Sequence, residues 1–339
     1  MRYRKADCFD LALSEIGFGC GGNAGLMVRG SFDDQARIIA RALELGINYF
    51  DNSPDYGNCV AEENLGLVLK SLKARPFINT KVEIRAENLA DIADHVVRSA
   101  EASLKRLQIE TLDVLQIHNG PIDPPPFMEG KYYAQLWIEH FFRPGGAIEG
   151  LRRLKDAGKV RHIGFVCRGN DGSFVSQLLD TGLFALINTP YTLLNPTAGR
   201  SKPVAFSGKD YGDVLTAAHK KGLGGAIYSP LAGGFLTDAA IDGRGRHPLA
   251  RRPNPEDAST QRNIAAAGRL RFLAHENEIS LAQAAVRFVL MHPGVVTVLG
   301  GFSDIAQLEE LAKVPELPPF TTDQMRRVEN LWATNFAAT

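Results

Sequence analysis

The sequence predicts an α/β fold, a (β/α)8 TIM barrel with its long loops gathered on one face. Three observations carry that expectation. Eight short β-rich runs alternate with longer helical patterns from the first turn almost to the last. The runs are mostly apolar throughout, as strands buried on both faces are. The three longest connections, 119–145, 189–210 and 231–259, all follow strands, and in such a barrel the loops after strands build the active site. A doubly wound sheet also alternates, so the count alone leaves that alternative open.

Taken in order, the strands are "EIGFG" (15–19), "INYFD" (47–51), "FINTK" (77–81), "LDVLQIH" (112–118), "VRHIGFV" (160–166), "FALIN" (184–188), "GGAIYS" (224–229) and "VVTVLG" (295–300). A hairpin over residues 3–11 precedes the first and would plug the barrel bottom. Helical patterns such as "DDQARIIARALELG", "IEGLRRLKDAG" and "YGDVLTAAHKKG" place apolar residues three to four apart and end in Gly, which marks a helix C-terminus. A longer helical region covers about 260–291, "SDIAQLEELA" follows the eighth strand, and a last helix is expected over about 321–333. With no Pro/Gly/Ser linker, residues 1–339 read as one domain.

Composition narrows the partners. Apolar residues at 45% and charged residues at 22% allow a sizeable core and argue against long disorder. Lys plus Arg and Asp plus Glu both total 38, so no global field favours nucleic acid or an anionic membrane. No apolar run reaches the length of a membrane span, and Cys8, Cys20, Cys59 and Cys167 lack the paired spacing of a metal or redox site. The expectation is a cytoplasmic protein, a monomer or small homo-oligomer, acting on a small molecule and using no metal.

"GFGCGG" (17–22) fits the Gly-x-Gly-x-x-Gly spacing of a dinucleotide-binding turn. That reading needs an acidic residue about 20 positions further on; Glu44 and Asp51 bracket the distance.

Asp51 has a stronger use. Asp51 and Tyr56 in "YFDNSPDYG", Lys81 in "INTK" and His118 in "LQIH" fall at or just beyond three neighbouring strand ends, which converge in a barrel. Singly, Asp51 also reads as a turn cap, Tyr56 as a packed turn aromatic and His118 as a satisfied strand-end histidine. Together they read as a site: a Lys ending an apolar strand is costly to bury unless paired, and Asp51 can pair it. A cation beside a phenol also favours the phenolate. At ~4 Å and an effective dielectric of ~20 the attraction is roughly 4 kcal/mol, or about 3 pKa units. Before desolvation opposes it, that shift would let Tyr56 work near neutral pH.

An Asp five residues before Tyr-Gly, then Lys, then His, at successive strand ends, resembles the catalytic tetrad of the aldo-keto reductases. The likeness spans nearly the whole chain, with "GINYFDNSPDYG", "AEENLGLVLK", "LDVLQIH", "GKVRHIGF", "YSPLAGGFLT" and "AQLEEL" in the family's order; the "SPDYG" wording is closest to its sugar-dehydrogenase branch. The resemblance implies NAD(P)(H)-dependent interconversion of an aldehyde or ketone, sugars included, with the alcohol. Tyr56 would be the general acid/base, Lys81 would tune it, Asp51 would orient Lys81, and His118 would hydrogen-bond the substrate oxygen. It also implies a second class of protein on the same barrel, a cofactor-binding regulatory subunit like the potassium-channel β subunits.

For the cofactor, the resemblance places Cys20, Gly21 and Asp51 beneath the nicotinamide, Tyr228 as its stacking shelf and Asn188 on its carboxamide. Ser229, Leu231 and Gly233 would line the pyrophosphate. Gly301, Phe302, Ser303, Gln307 and Glu310 would hold the adenosine end at a helix N-terminus. Three departures qualify this: relatives that favour NADPH carry cations where Gly301 and Gln307 stand, and the family's usual Ser-Asn after strand five is Val166-Cys167. NAD(H) therefore stands beside NADP(H) as the expected cofactor, with Glu310 available to a ribose hydroxyl and the basic "RGRHPLARR" (244–252) to phosphate. Tyr132, Tyr133 and Trp137 would wall the substrate pocket.

Overall fold

The computed structural model describes residues 1–123, 135–168 and 172–337. Strands β1 (Ile16–Gly19), β2 (Tyr49–Asp51), β3 (Phe77–Val82), β4 (Leu112–Ile117), β5 (Val160–Val166), β6 (Leu186–Pro190), β7 (Gly224–Tyr228) and β8 (Val295–Gly301) form a closed barrel in sequence order. Every neighbouring pair is parallel, and β8 returns to β1 through Val298↔Ile16 to Gly301↔Gly19. Closure removes the doubly wound alternative, because it leaves no sheet edge at which the strand order reverses.

Helices α1 (Phe32–Glu44), α2 (Val60–Leu72), α3 (Ile92–Leu107), α4 (Ala147–Asp156), α5 (Gly172–Leu179), α6 (Val214–Lys220), α7 (Leu281–Leu290) and α8 (Ile305–Ala312) each follow one strand. Their apolar stripes turn inward: α1, for instance, is capped by Ser31 and buries Ile38, Ile39 and Ala42. The helical region expected over 260–291 is broken. It comprises Ala258–Arg269, Arg271–Glu276 and α7, because Glu278 takes φ 54° and Ser280 starts a new helix with a reciprocal Ser280–Gln283 cap. A final helix, α9 (Thr322–Ala333), inserts Trp332 against the loop after β6, its indole N–H donating to Leu193 O at 2.8 Å.

Below the barrel, Tyr3–Ala6 and Phe9–Ser14 form the expected hairpin, three residues longer than the sequence indicated. Phe9, Leu11 and Leu13 enter the barrel bottom and pack with Tyr49, Val114, Leu186, Val296 and Leu299. Asn48 extends the hairpin by accepting from Ser14 N and donating to Ala12 O, both at 2.8 Å, which ties the plug to the foot of β2.

The upper face carries the long loops. The β4 connection contains the short strands Gly120–Ile122 and Gln135–Trp137. The β7 connection crosses the barrel mouth: Arg251 N donates to Asn23 O at 2.8 Å and the Arg29 guanidinium donates to Leu249 O. Among the described residues, no helix is long and apolar enough to cross a membrane.

Phe9 is completely buried in the plug, so Phe9→Ala should cost about 3–5 kcal/mol in urea unfolding, the penalty of a large aromatic cavity.

Candidate active site

The inner wall of the barrel changes from apolar to polar as it rises. Tyr49 and Val114 pack with the plug, and two residues higher on the same strands stand Asp51 and Gln116, since side chains alternate with period 2. Asp51 is buried at the centre. Its Oδ1 accepts from Asn79 Nδ2 at 2.6 Å and Asn188 Nδ2 at 3.0 Å; its Oδ2 accepts from Lys81 Nζ at 2.7 Å. Gln116 completes a ring of amides, donating to Asn188 Oδ1 at 2.9 Å and accepting from Asn79 at 3.3 Å. Lys81 also donates to Asn52 O at 2.7 Å and to the Tyr56 hydroxyl at 3.2 Å. Tyr56 reaches back from the turn after β2 and donates to Asp51 Oδ2 at 3.5 Å, with the His118 ring edge-on at 6.2 Å.

The four residues that the sequence placed at converging strand ends therefore meet. Their electrostatics differ from the expectation. Tyr56 is raised well above the ordinary tyrosine range, first by burial and then by the Asp51 charge. The pairwise attraction to Lys81 that pointed to ionisation near neutral pH is overturned by desolvation of the phenolate. Burial also lowers Lys81, with Asp51 opposing, and lowers His118 well below the usual histidine value, helped by Lys81 and Arg168. At neutral pH the arrangement is a neutral phenol that accepts from an ammonium, beside a neutral imidazole.

Around this cluster, Cys20 N donates to Asp51 O at 2.9 Å, and a Cβ on Gly21 would stand 3.7 Å from the Tyr56 ring, so bare backbone lines that side. Tyr228 donates to Cys167 O at 3.2 Å and stays half-buried. Beyond it the chain turns sharply, with positive φ at Ser229 (53°), Ala232 (49°), Gly233 (72°) and Gly234 (91°). Leu231 sits within this turn, where a Cβ on Gly233 would meet the Phe235 ring at 4.0 Å. Gly301 is exposed at the end of β8, Phe302 is buried, and Ser303 Oγ donates to Ala24 O at 2.7 Å. These features fit a long, flat ligand laid from the β1–β2 rim across β7 to β8.

Other expected contacts are turned inward. Asn188 is buried, with both ends of its amide in the Asp51 ring rather than offered to the mouth. Glu310 accepts from Ser280, the cap of α7. Gln307 accepts from Ser303 N at 2.9 Å, and Asp304 caps α8 by accepting from Gln307 N at 2.9 Å. The basic loop brings Arg246 over the Phe235 ring, 5.5 Å from its centroid. Trp137 donates to Asp123 Oδ1 at 3.2 Å and stacks edge-on with His140. Tyr132 and Tyr133 lie outside the described residues.

Sequence reasoning passed over Asn79, Gln116, Glu83, Ser53 and Arg168. Period-2 counting from Lys81 and His118 reaches Asn79, Glu83 and Gln116, so that signal was present. Arg168 follows β5 and donates to His118 O at 2.9 Å, a contact no local pattern announces.

A model of the aldo/keto reductase family matches residues 15–333. The L-galactose dehydrogenase of Arabidopsis thaliana is 29% identical over 93% of this chain and 88% of its own. A probable voltage-gated potassium channel subunit beta of the same plant is 24% identical over 97% and 96%. A solved aldo-keto reductase from Klebsiella pneumoniae, in complex with NADPH, superposes with TM-score 0.68 over 97% of this chain and 95% of that one; at 19% identity it speaks for the fold.

Two measurements test this electrostatic picture. Lys81→Met leaves Asp51 uncompensated in the barrel and should lower urea stability by about 3–5 kcal/mol. In alkaline titration, the wild-type minus Tyr56→Phe difference spectrum should show no Tyr56 phenolate through about pH 10, the ordinary tyrosine value. Because the folded pKa is the higher one, the stability Tyr56 contributes is fully present below that pH and is lost as pH rises beyond it.

Proposed function

This chain belongs to the aldo/keto reductase family, and from that premise we propose that it is an NAD(P)(H)-dependent oxidoreductase interconverting a small carbonyl compound, a sugar among them, with its alcohol. The observation that carries the reading is the continuous Lys81–Tyr56–Asp51 contact at the barrel mouth. Bound nicotinamide supplies or takes up the hydride. Tyr56 gives its phenolic proton to the carbonyl oxygen, or recovers it from the alcohol in reverse. Lys81 stabilises the phenolate that forms, and Asp51 holds Lys81 aimed at it. His118 hydrogen-bonds the substrate from the other side.

On this reading Tyr228, with Cys20, Gly21 and Asp51, would hold the nicotinamide end, and Ser229, Leu231 and Gly233 would hold the pyrophosphate. Gly301, Phe302, Ser303 and Gln307 border the adenosine end. Asn188 acts through Asp51, and Glu310 through Ser280, rather than on the cofactor directly. Trp137, with Tyr132 and Tyr133, flanks the substrate side. The protein works in the cytoplasm as one domain, a monomer or small homo-oligomer. A second reading, a cofactor-binding regulatory subunit, is favoured by the relatives named as potassium channel β subunits.

Tyr56→Phe separates the two. The enzyme reading expects turnover to fall by about 10²–10⁴-fold, the usual share of a general acid, while NADPH binding followed by fluorescence stays near wild type. Turnover unchanged by the substitution defeats the assignment of Tyr56, and protein that binds nicotinamide but turns over no aldehyde or sugar supports the regulatory reading. Parallel titrations with NADH and NADPH should show no strong NADPH preference, since positions 301 and 307 carry no cation.

A further inference from the structure

Arg168, just beyond the end of β5, is tied to three neighbours at the barrel mouth. Its Nε donates to His118 O at 2.9 Å, and its own carbonyl accepts from Lys209 Nζ at 3.0 Å. The carbonyl of the residue before it, Cys167, accepts from the Tyr228 hydroxyl at 3.2 Å. The side chain is half-buried, on the rim between the histidine after β4 and the tyrosine that ends β7. Its charge is felt at Tyr56, Lys81, His118 and Tyr228 alike.

The carboxylates of the mouth stand elsewhere: Asp51 pairs with Lys81 at 2.7 Å, Asp55 with Arg85 at 3.2 Å, and Glu83 Oε2 lies 3.2 Å from His118 Nδ1. Among the described residues, no carboxylate forms an ion pair with Arg168, and Nε is the donor that meets a described acceptor. The N–H groups on Nη1 and Nη2 remain, the edge of the guanidinium that matches two oxygens of a carboxylate or a phosphate. A cation partly withdrawn from water beside Lys81 is costly to keep without an anion. A bound anion removes that cost. Position separates substrate from cofactor: on the reading above, the nicotinamide end lies at Tyr228 on β7 and the phosphates lead on towards β8, whereas Arg168 follows β5, with β6 between. Arg168 therefore lies on the side of Tyr228 away from the phosphates and beside His118, where the substrate enters.

We propose that Arg168 is a specificity-determining residue that binds an anionic group of the substrate, so that the carbonyl compounds this protein takes carry a carboxylate or a phosphate a few bonds from the reacting carbon. The proposal rests on the oxidoreductase reading and narrows its substrate class. Lys209, whose ammonium lies at the Arg168 carbonyl, adds a second cation to the same rim. Tyr56 serves the carbonyl oxygen, and Arg168 reads the other end of the molecule.

The test has two arms. In the first, kcat/KM is compared within two pairs, succinic semialdehyde against its methyl ester and glyceraldehyde 3-phosphate against glyceraldehyde. Wild type should prefer the anionic member of at least one pair by about tenfold or more, the lower end of what a charge-assisted hydrogen bond contributes. The pair that shows the preference identifies the anion as carboxylate or phosphate. Arg168→Gln should lose most of that ratio, chiefly through KM, and Arg168→Lys should keep part of it. No preference in either pair, or one untouched by Arg168→Gln, overturns the proposal. Loss of activity on both members alike marks a merely structural role and also overturns it. The second arm needs no turnover: calorimetric titration of the NADP+-saturated protein with succinate and with glycerol 3-phosphate should show binding of at least one, weakened about tenfold or more in Arg168→Gln and kept in Tyr56→Phe. Wild type that binds neither anion overturns the proposal even where Tyr56 behaves as assigned. Wild type that binds an anion yet turns over no aldehyde overturns the oxidoreductase reading instead.

Discussion

The Asp51–Lys81 ion pair at the barrel mouth is the contact on which the rest of the site depends. Withdrawing two charges from water costs several kcal/mol per ion, and their attraction offsets that only if the remaining hydrogen-bonding capacity is met. Here it is met from four strands: Asp51 and the Asn52 carbonyl at the end of β2, Asn79 and Lys81 on β3, Gln116 on β4 and Asn188 on β6. The amide ring is the condition under which the pair can be buried. It also joins opposite walls of the barrel, because β2 and β6 are not neighbours in the sheet.

Rigidity at this point has a chemical use. A phenol held by an ammonium on one side and a carboxylate on the other loses little orientation when its proton leaves, since the dipoles are already arranged. The raised Tyr56 value suits a donor: the neutral form is fully populated at neutral pH, and Lys81 stands ready only as charge develops. The same strand end then does the opposite for the imidazole. Lys81 and Glu83, two residues apart, set neighbours of opposite charge beside Tyr56 and His118.

Much of this was legible in the sequence because polar residues interrupt strands that are otherwise apolar. Asp51, Lys81 and His118 announce themselves in that way, and Tyr56 by its distance from Asp51. The "GFGCGG" match was resolved by closure, which puts Gly17 and Gly19 on β1 and Gly21 just beyond it, bare backbone beside the Tyr56 ring. What stayed hidden was the choice of partner. Asn188 has the right type and place for a ligand contact, yet its amide is drawn inward by a carboxylate 137 residues away in sequence. Glu310 is likewise claimed by Ser280. For Tyr56, pairwise Coulomb reasoning gave the size of one opposing effect, but the outcome is set by desolvation, which depends on everything packed around the group and which no local pattern measures.

The adenosine end follows the same logic of competing partners. A helix N-terminus attracts an anion through free N–H groups, but α8 commits part of its own: Asp304 accepts from Gln307 N, and the Gln307 side chain turns back to accept from Ser303 N. Asp304 also places a negative charge at the N-terminus of α8, and with Gly301 and Gln307 uncharged no cation on β8 or α8 offsets it. Positive charge enters this side of the mouth from the β7 loop, where Arg246 stacks on Phe235 beside the Gly234 turn. On the proposed cofactor placement, a 2′-phosphate would meet both a fixed carboxylate cap and an arginine carried on a loop. If the adenosine end is held there, removing the Arg246 charge and removing the Asp304 charge would move the preference between a 2′-hydroxyl and a 2′-phosphate in opposite directions.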